Sequence, residues 1–159
     1  MRLLKFLFIF LLFANVSYSN IEDNVNTNKI IKNKYKITEM TDNYLKAEKI
    51  NVISKKSIVK NILINNFPYE SFLDLKKEYQ GIANNDIEIK VDENDSFLVK
   101  KYMDLDGGTY TRIYNVFYYK NSILFSITCV VVSLDKNENI DLSQNEELKL
   151  LNELKSFYK

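Results

Sequence analysis

From Ser96 to Ser133 the chain reads SFLVKKYMDLDGGTYTRIYNVFYYKNSILFSITCVVVS, with apolar residues recurring at every second position over long stretches. Side chains of a strand point alternately to its two faces, so this pattern predicts three antiparallel strands joined by tight turns. Asp106-Gly107 is the strongest turn signal. A two-residue loop there sets Met103 opposite Tyr110, Lys101 opposite Arg112, Val99 opposite Tyr114 and Phe97 opposite Val116. A second two-residue loop at Lys120-Asn121 sets Tyr118 opposite Ile123, Val116 opposite Phe125, Tyr114 opposite Ile127 and Arg112 opposite Cys129. The last of the three strands is apolar on both sides, as expected of a central strand covered from above and below.

Upstream, YKITEM, YLKAEKINVIS and SIVKNILI read as three further strands, punctuated at Thr41-Asp42-Asn43 and at Ser54 to Lys56. Tyr44 to Lys49 suits a helix about as well. Pro68 opens an amphipathic helix in which Phe72, Leu75 and Tyr79 recur at i, i+3 and i+7, ending near Gly81. Ile87, Ile89 and Val91 alternate with charged residues and predict a half-exposed edge strand. Ser143 and Glu146 form a capping box before a second helix with the stripe Leu148, Leu151, Leu154 and Phe157. The pattern therefore predicts an α+β domain: an antiparallel sheet of about six to seven strands with helices packed on it, an α/β/α sandwich.

The first nineteen residues follow a different rule. Arg2 and Lys5 precede the apolar run Phe6 to Ala14, and Ser17 and Ser19 supply small residues at a cleavage position, which predicts a secretory signal peptide too short to span a membrane comfortably. Residues 20–34, NIEDNVNTNKIIKNK, are polar and Asn-rich and predict a flexible leader. Residues 35–159 form the single domain.

The chain of 159 residues is 46% apolar, enough for a real core. Setting aside Arg2 and Lys5 from its 22 basic residues leaves 20 against 21 acidic ones. That near-neutral balance argues against nucleic-acid binding. The one Cys, Cys129, lies mid-strand, where a small buried hydrophobe is the ordinary reading, so the exported domain is expected to hold together without an internal disulfide. The chain contains no His, which removes the commonest general base and the commonest neutral metal ligand.

Three groupings carry candidate chemistry. Lys101 and Arg112, opposed on one face and ringed by Tyr110 and Tyr114, call for an anion nearby, since like charges in register repel and burial of either alone is costly. One outcome is a pocket for a carboxylate or phosphate with Arg112 as bidentate partner. The other is that long stems reach water or a carboxylate on a helix. Residues 135–146 place Asp135, Asn137, Asn139, Asp141, Ser143 and Glu146 at EF-hand ligand spacing, but Ile140 stands where the loop needs Gly, and a solvated loop is the simpler expectation. Asp104 and Asp106 flank a turn, as acids commonly do. No cofactor or metal is expected.

Strands, helix, meander and terminal helix in this order resemble the PsbP-like superfamily over about residues 35 to 158, through element order and helix placement. The resemblance implies an α/β/α sandwich serving as a non-catalytic binding or adaptor domain, and it transfers no site residues. The expected function is thus an exported accessory domain of the bacterial envelope, periplasmic or extracellular, that engages a protein partner or a small anionic ligand, with no transmembrane segment once the signal is removed. The competing expectation is a small secreted hydrolase that works with carboxylates alone.

Overall fold

The computed structural model describes residues 20–53, 55–84, 86–105 and 108–159; the expected signal peptide lies outside them. Among the described residues seven strands form one antiparallel sheet: β1 Lys36–Met40, β2 Tyr44–Ile53, β3 Lys56–Asn66, β4 Ile87–Asp92, β5 Ser96–Leu105, β6 Thr109–Lys120 and β7 Ile123–Ser133. Their spatial order is β1-β2-β3-β7-β6-β5-β4, so the doubly apolar β7 is the centre and the charged β4 an edge. Tyr44 to Lys49 is strand, fixed by in-register pairing of Leu45 with Ile64 and of Ala47 with Ile62.

Among the described residues four helices accompany the sheet: α1 Ile21–Asn24, α2 Thr27–Lys32, α3 Tyr69–Ile82 and α4 Gln144–Lys155. One face carries Ile62, Ile64, Val116, Phe125 and Ile127, which cluster with Leu150, Leu151 and Leu154 of α4 and with Phe157. The opposite face carries Phe97, Val99 and Leu124, which cluster with Phe72 of α3 and are flanked by Tyr79 and Phe117. Phe72 stacks on Tyr119, and Phe97 on Phe117 with ring centroids 4.5 Å apart.

Two expectations need correction. The stretch read as a flexible leader is folded: Ile21, Val25 and Ile30 are fully buried in the larger cluster. Val25 bridges to Tyr158, and the Lys159 amide donates to the Asn24 carbonyl. Three apolar residues among many Asn were enough, because Asn20 and Asn26 cap the two short helices. The register of the first hairpin is also shifted. Leu105 pairs with Thr109, which leaves a three-residue loop closed by Gly108 at φ 82°. That extra residue inverts β5 relative to β6: Tyr102 faces Arg112, Lys100 faces Tyr114, and Lys101 faces Ile113 on the other side of the sheet. Met103 and Tyr110 accordingly lie on opposite faces. In the second hairpin the loop is Asn121-Ser122, with both residues at positive φ, and Lys120 pairs with Ile123. That shift moves partners by two, so β6 and β7 keep the expected shared face.

Candidate functional site

Of the four expected site residues the structure brings Arg112 and Tyr114 together, replaces Lys101 by Lys100, and sets Tyr110 at the rim of a different depression beside Lys55 and Asp135. Lys100 is 5% exposed, with its ammonium over the rings of Tyr102 (4.6 Å to centroid) and Tyr114 (5.8 Å). The Arg112 guanidinium lies 4.7 Å from the Tyr102 ring centre. The anion that these cations require comes from the chain itself. Asp141, in the loop before α4, accepts from Lys100 Nζ at 2.7 Å and from Arg112 Nε at 3.2 Å on the same carboxylate oxygen. Arg112 also donates to the Thr111 carbonyl. The Tyr114 hydroxyl accepts from the Leu142 amide at 2.8 Å and pins the same loop to the sheet.

The electrostatics follow from this geometry. Burial pulls the Lys100 ammonium down, but its bonds to Asp141 and Tyr102 outweigh that and hold its pKa above the usual lysine value. Burial likewise opposes ionisation of Asp141, and Lys100 with Arg112 overcomes it, leaving the carboxyl below its ordinary range. Burial pushes the Tyr114 phenol up to about 12.

Beside this cluster lies a polar recess of about 380 Å³ between β4, β5 and the start of α4, lined by Glu88, Lys90, Lys100, Gln144 and Glu147 among others. Glu147 is the unexpected member. It is 6% exposed, on the buried side of α4 with Leu150, Leu151 and Leu154, whereas Leu148 of the predicted stripe points outward. Desolvation raises its pKa, against the pull of Lys90 and Lys100. Glu88, bonded to Lys90 at 2.7 Å, is lowered instead. The spacing 147, 150, 151, 154 was legible as a helix face, but an acid in its first position gave no reason to place that face inward.

Five of the six residues at EF-hand spacing, Asp135, Asn139, Asp141, Ser143 and Glu146, have their side-chain oxygens engaged within the chain. Asp135 pairs with Lys55 and accepts from the Asn137 amide, Asn139 accepts from the Asp141 amide, and Ser143 and Glu146 cap α4. Among the described residues no cluster of three or more His, Cys, Asp or Glu could hold a metal ion.

A second candidate surface is apolar. α3 packs on β4, on β5 and on the Phe117, Tyr119 and Leu124 ends of β6 and β7, and leaves β2, β3 and the rest of β7 and β6 outside its cluster. Register places Ile50, Val59, Val130 and Ile113 in one row across the sheet, and Val52, Ser57, Val132 and Thr111 in the next. Ile50 is 63% and Val52 72% exposed, and Leu63 lies on the same face at 40%. Two hydroxyls among them are satisfied within the sheet, Ser126 Oγ donating to the Leu63 carbonyl and Thr128 Oγ1 to Asn115 Oδ1, while the Asn61 side chain beside Thr128 is exposed.

No family model matches this chain, and no curated protein does either. Among the described residues no helix is long and apolar enough to cross a membrane.

Proposed function

We propose that the protein is an exported, non-catalytic accessory domain that docks a protein partner on the open half of its sheet. The observation that carries this reading is the row of Ile50, Val59, Val130 and Ile113 beside Val52 and Val132, apolar side chains on β2, β3, β7 and β6 beyond the residues that α3 packs on. The reading takes the arrangement as an α/β/α sandwich of PsbP-like kind with one helix layer half filled. Export rests on the amino-terminal basic and apolar segments. A free small anion is the weaker choice of ligand, because Asp141 already bridges Lys100 and Arg112. The test is a photo-crosslinking side chain at position 52 in cells expressing the full chain, with position 148 on the outer side of α4 as control. A discrete protein adduct at 52 and none at 148 is expected; no adduct at 50, 52 or 63 overturns the reading.

One observation favours a second reading, a hydrolase with carboxylates alone. Glu147 and Glu88 share the polar recess with pKa values pushed in opposite directions, the pattern of a paired acid and base. Hydrolysis of aryl glycosides that is abolished by Glu147→Gln would support it, and no turnover by the unaltered protein would end it.

A further inference from the structure

Resting on the docking surface just described, we propose that its occupant is a second copy of this chain, joined face to face across a two-fold axis. Three features of the patch argue for self-association. The first is fit. Packed sheets lie about 10 Å apart, and a helix with its side chains is about 10 Å across, so another copy's sheet occupies the layer that α3 begins and stops short of filling. In the symmetric pair each α3 flanks the sheet of the other molecule.

The second is size. Four strands at about 4.8 Å spacing and six or seven residues at about 3.3 Å give each copy a flat footprint of about 400 Å². Accessible surface over protruding side chains exceeds its projection, so the pair buries about 1,000 Å², the lower limit for a specific complex. A dimer of moderate affinity is the consequence.

The third is charge and polarity. The centre of the patch holds Val59, Val130 and Val132 beside Asn61 and Thr128; the Ser126 and Thr128 hydroxyls are already bonded within the sheet, so excluding water strands neither hydroxyl, and the Asn61 amide is left to bond across the pair. Glu48 on β2 and Lys101 on β5 stand at opposite margins, and a two-fold arrangement sets each acid toward the other copy's lysine. An anionic membrane surface would instead favour an excess of Lys or Arg around the apolar residues, and Lys46 here is paired with Glu39.

The test is sedimentation velocity on the exported protein from about 1 to 300 µM, for the unaltered chain, for Ile50→Lys with Val52→Lys, and for Leu148→Lys as control. Both altered sites are exposed, so folding is expected to persist and is verified by circular dichroism. The unaltered chain and L148K should shift toward twice the monomer mass as concentration rises, with the double variant at least tenfold weaker in association. A monomer at every concentration, or dimerisation undiminished in the double variant, overturns the proposal. The outcomes separate it from the broader reading: a monomer that still forms a position-52 adduct with a different protein keeps the docking surface and removes self-association. A monomer with no adduct removes both.

Discussion

Lys100 and Asp141 meet at 2.7 Å, with the ammonium 5% exposed and the carboxylate reaching it from the loop before the terminal helix. An ammonium so placed would be costly without its partner, so the loop and the sheet edge depend on each other. Asp141→Asn should lower stability by about 1–3 kcal/mol, discounted from a fully buried pair because the carboxylate is half exposed. Adding Lys100→Met to that variant should recover most of the loss. Chemical denaturation of the single and double variants measures both. Since folding depresses the Asp141 pKa, its contribution is present above the unfolded value near 3.9 and fades as pH falls through the folded one.

Glu147 has the opposite sign. Burial raises its pKa in the folded protein, so the fold holds the proton more tightly than the unfolded chain does. Stability from this group is complete below the unfolded value near 4.3 and is lost as pH rises through the folded pKa. Glu147→Gln removes the charge but keeps the shape. It should raise the melting temperature by about 2–4 °C at pH 7, and the difference should vanish by pH 3.5. Equal melting at both pH values would mean that the carboxylate is well solvated.

Gly108 closes the first hairpin at φ 82°. An added Cβ would meet no neighbouring atom, so any penalty at this position is conformational. Gly108→Ala should therefore cost about 1 kcal/mol, and Gly108→Asn less, since Asn tolerates the left-handed region. Thermal melts of the two variants rank them.

That same turn marks the limit of what the amino-acid pattern revealed. Six strands and both long helices are legible, because alternation in β5 to β7 and the 72, 75, 79 spacing in α3 are local signals, whereas Tyr44 to Lys49 of β2 fits helix or strand until its pairing with β3 decides. The face of β5 is not legible. The run Asp106-Gly107-Gly108 is compatible with a loop of two residues or of three, and one residue decides whether Lys100 or Lys101 joins Arg112. With Lys101 assigned there, the need for an anion is legible, as an external ligand or a carboxylate of the chain, but not which carboxylate supplies it. Asp141 lies 41 residues from Lys100 in a loop that reads as a weak cation site, and only the tertiary fold brings it across. Tyr114 shares a face with Arg112 because the two stand two residues apart on β6, and Cys129 joins that face because the shift in the second hairpin moved β7 by two positions and preserved parity.

Cys129 is fully buried in the middle of β7 between Lys60 of β3 and Tyr114 of β6, and burial pushes its thiol pKa up to about 11. It is thus a packing residue with little thiolate at neutral pH. A thiol reagent at pH 8 should label the native protein at least a hundredfold more slowly than the unfolded one. Rapid native labelling would place the thiol in solvent and contradict the packing of α4 over that strand.

The amino-terminal segment provides the sharpest contrast between composition and structure. Residues 20–34 are rich in Asn and Lys and would ordinarily remain unfolded, yet Ile21, Val25 and Ile30 are fully buried. The segment is tied at its start and at its middle: the Ile21 amide donates to the Asp42 carbonyl at the first turn, and the Asn26 amide to the Phe157 carbonyl after α4. It therefore closes the core between the first hairpin and the carboxyl terminus, so its loss should be felt globally. Ile30→Ala should destabilise the whole domain by about 2–4 kcal/mol, as truncation of a buried aliphatic does, whereas Lys29→Ala one residue earlier and exposed should change it by less than about 0.5 kcal/mol. Urea unfolding monitored by tyrosine fluorescence distinguishes the two. A leader with no share in the core would leave both midpoints where they are.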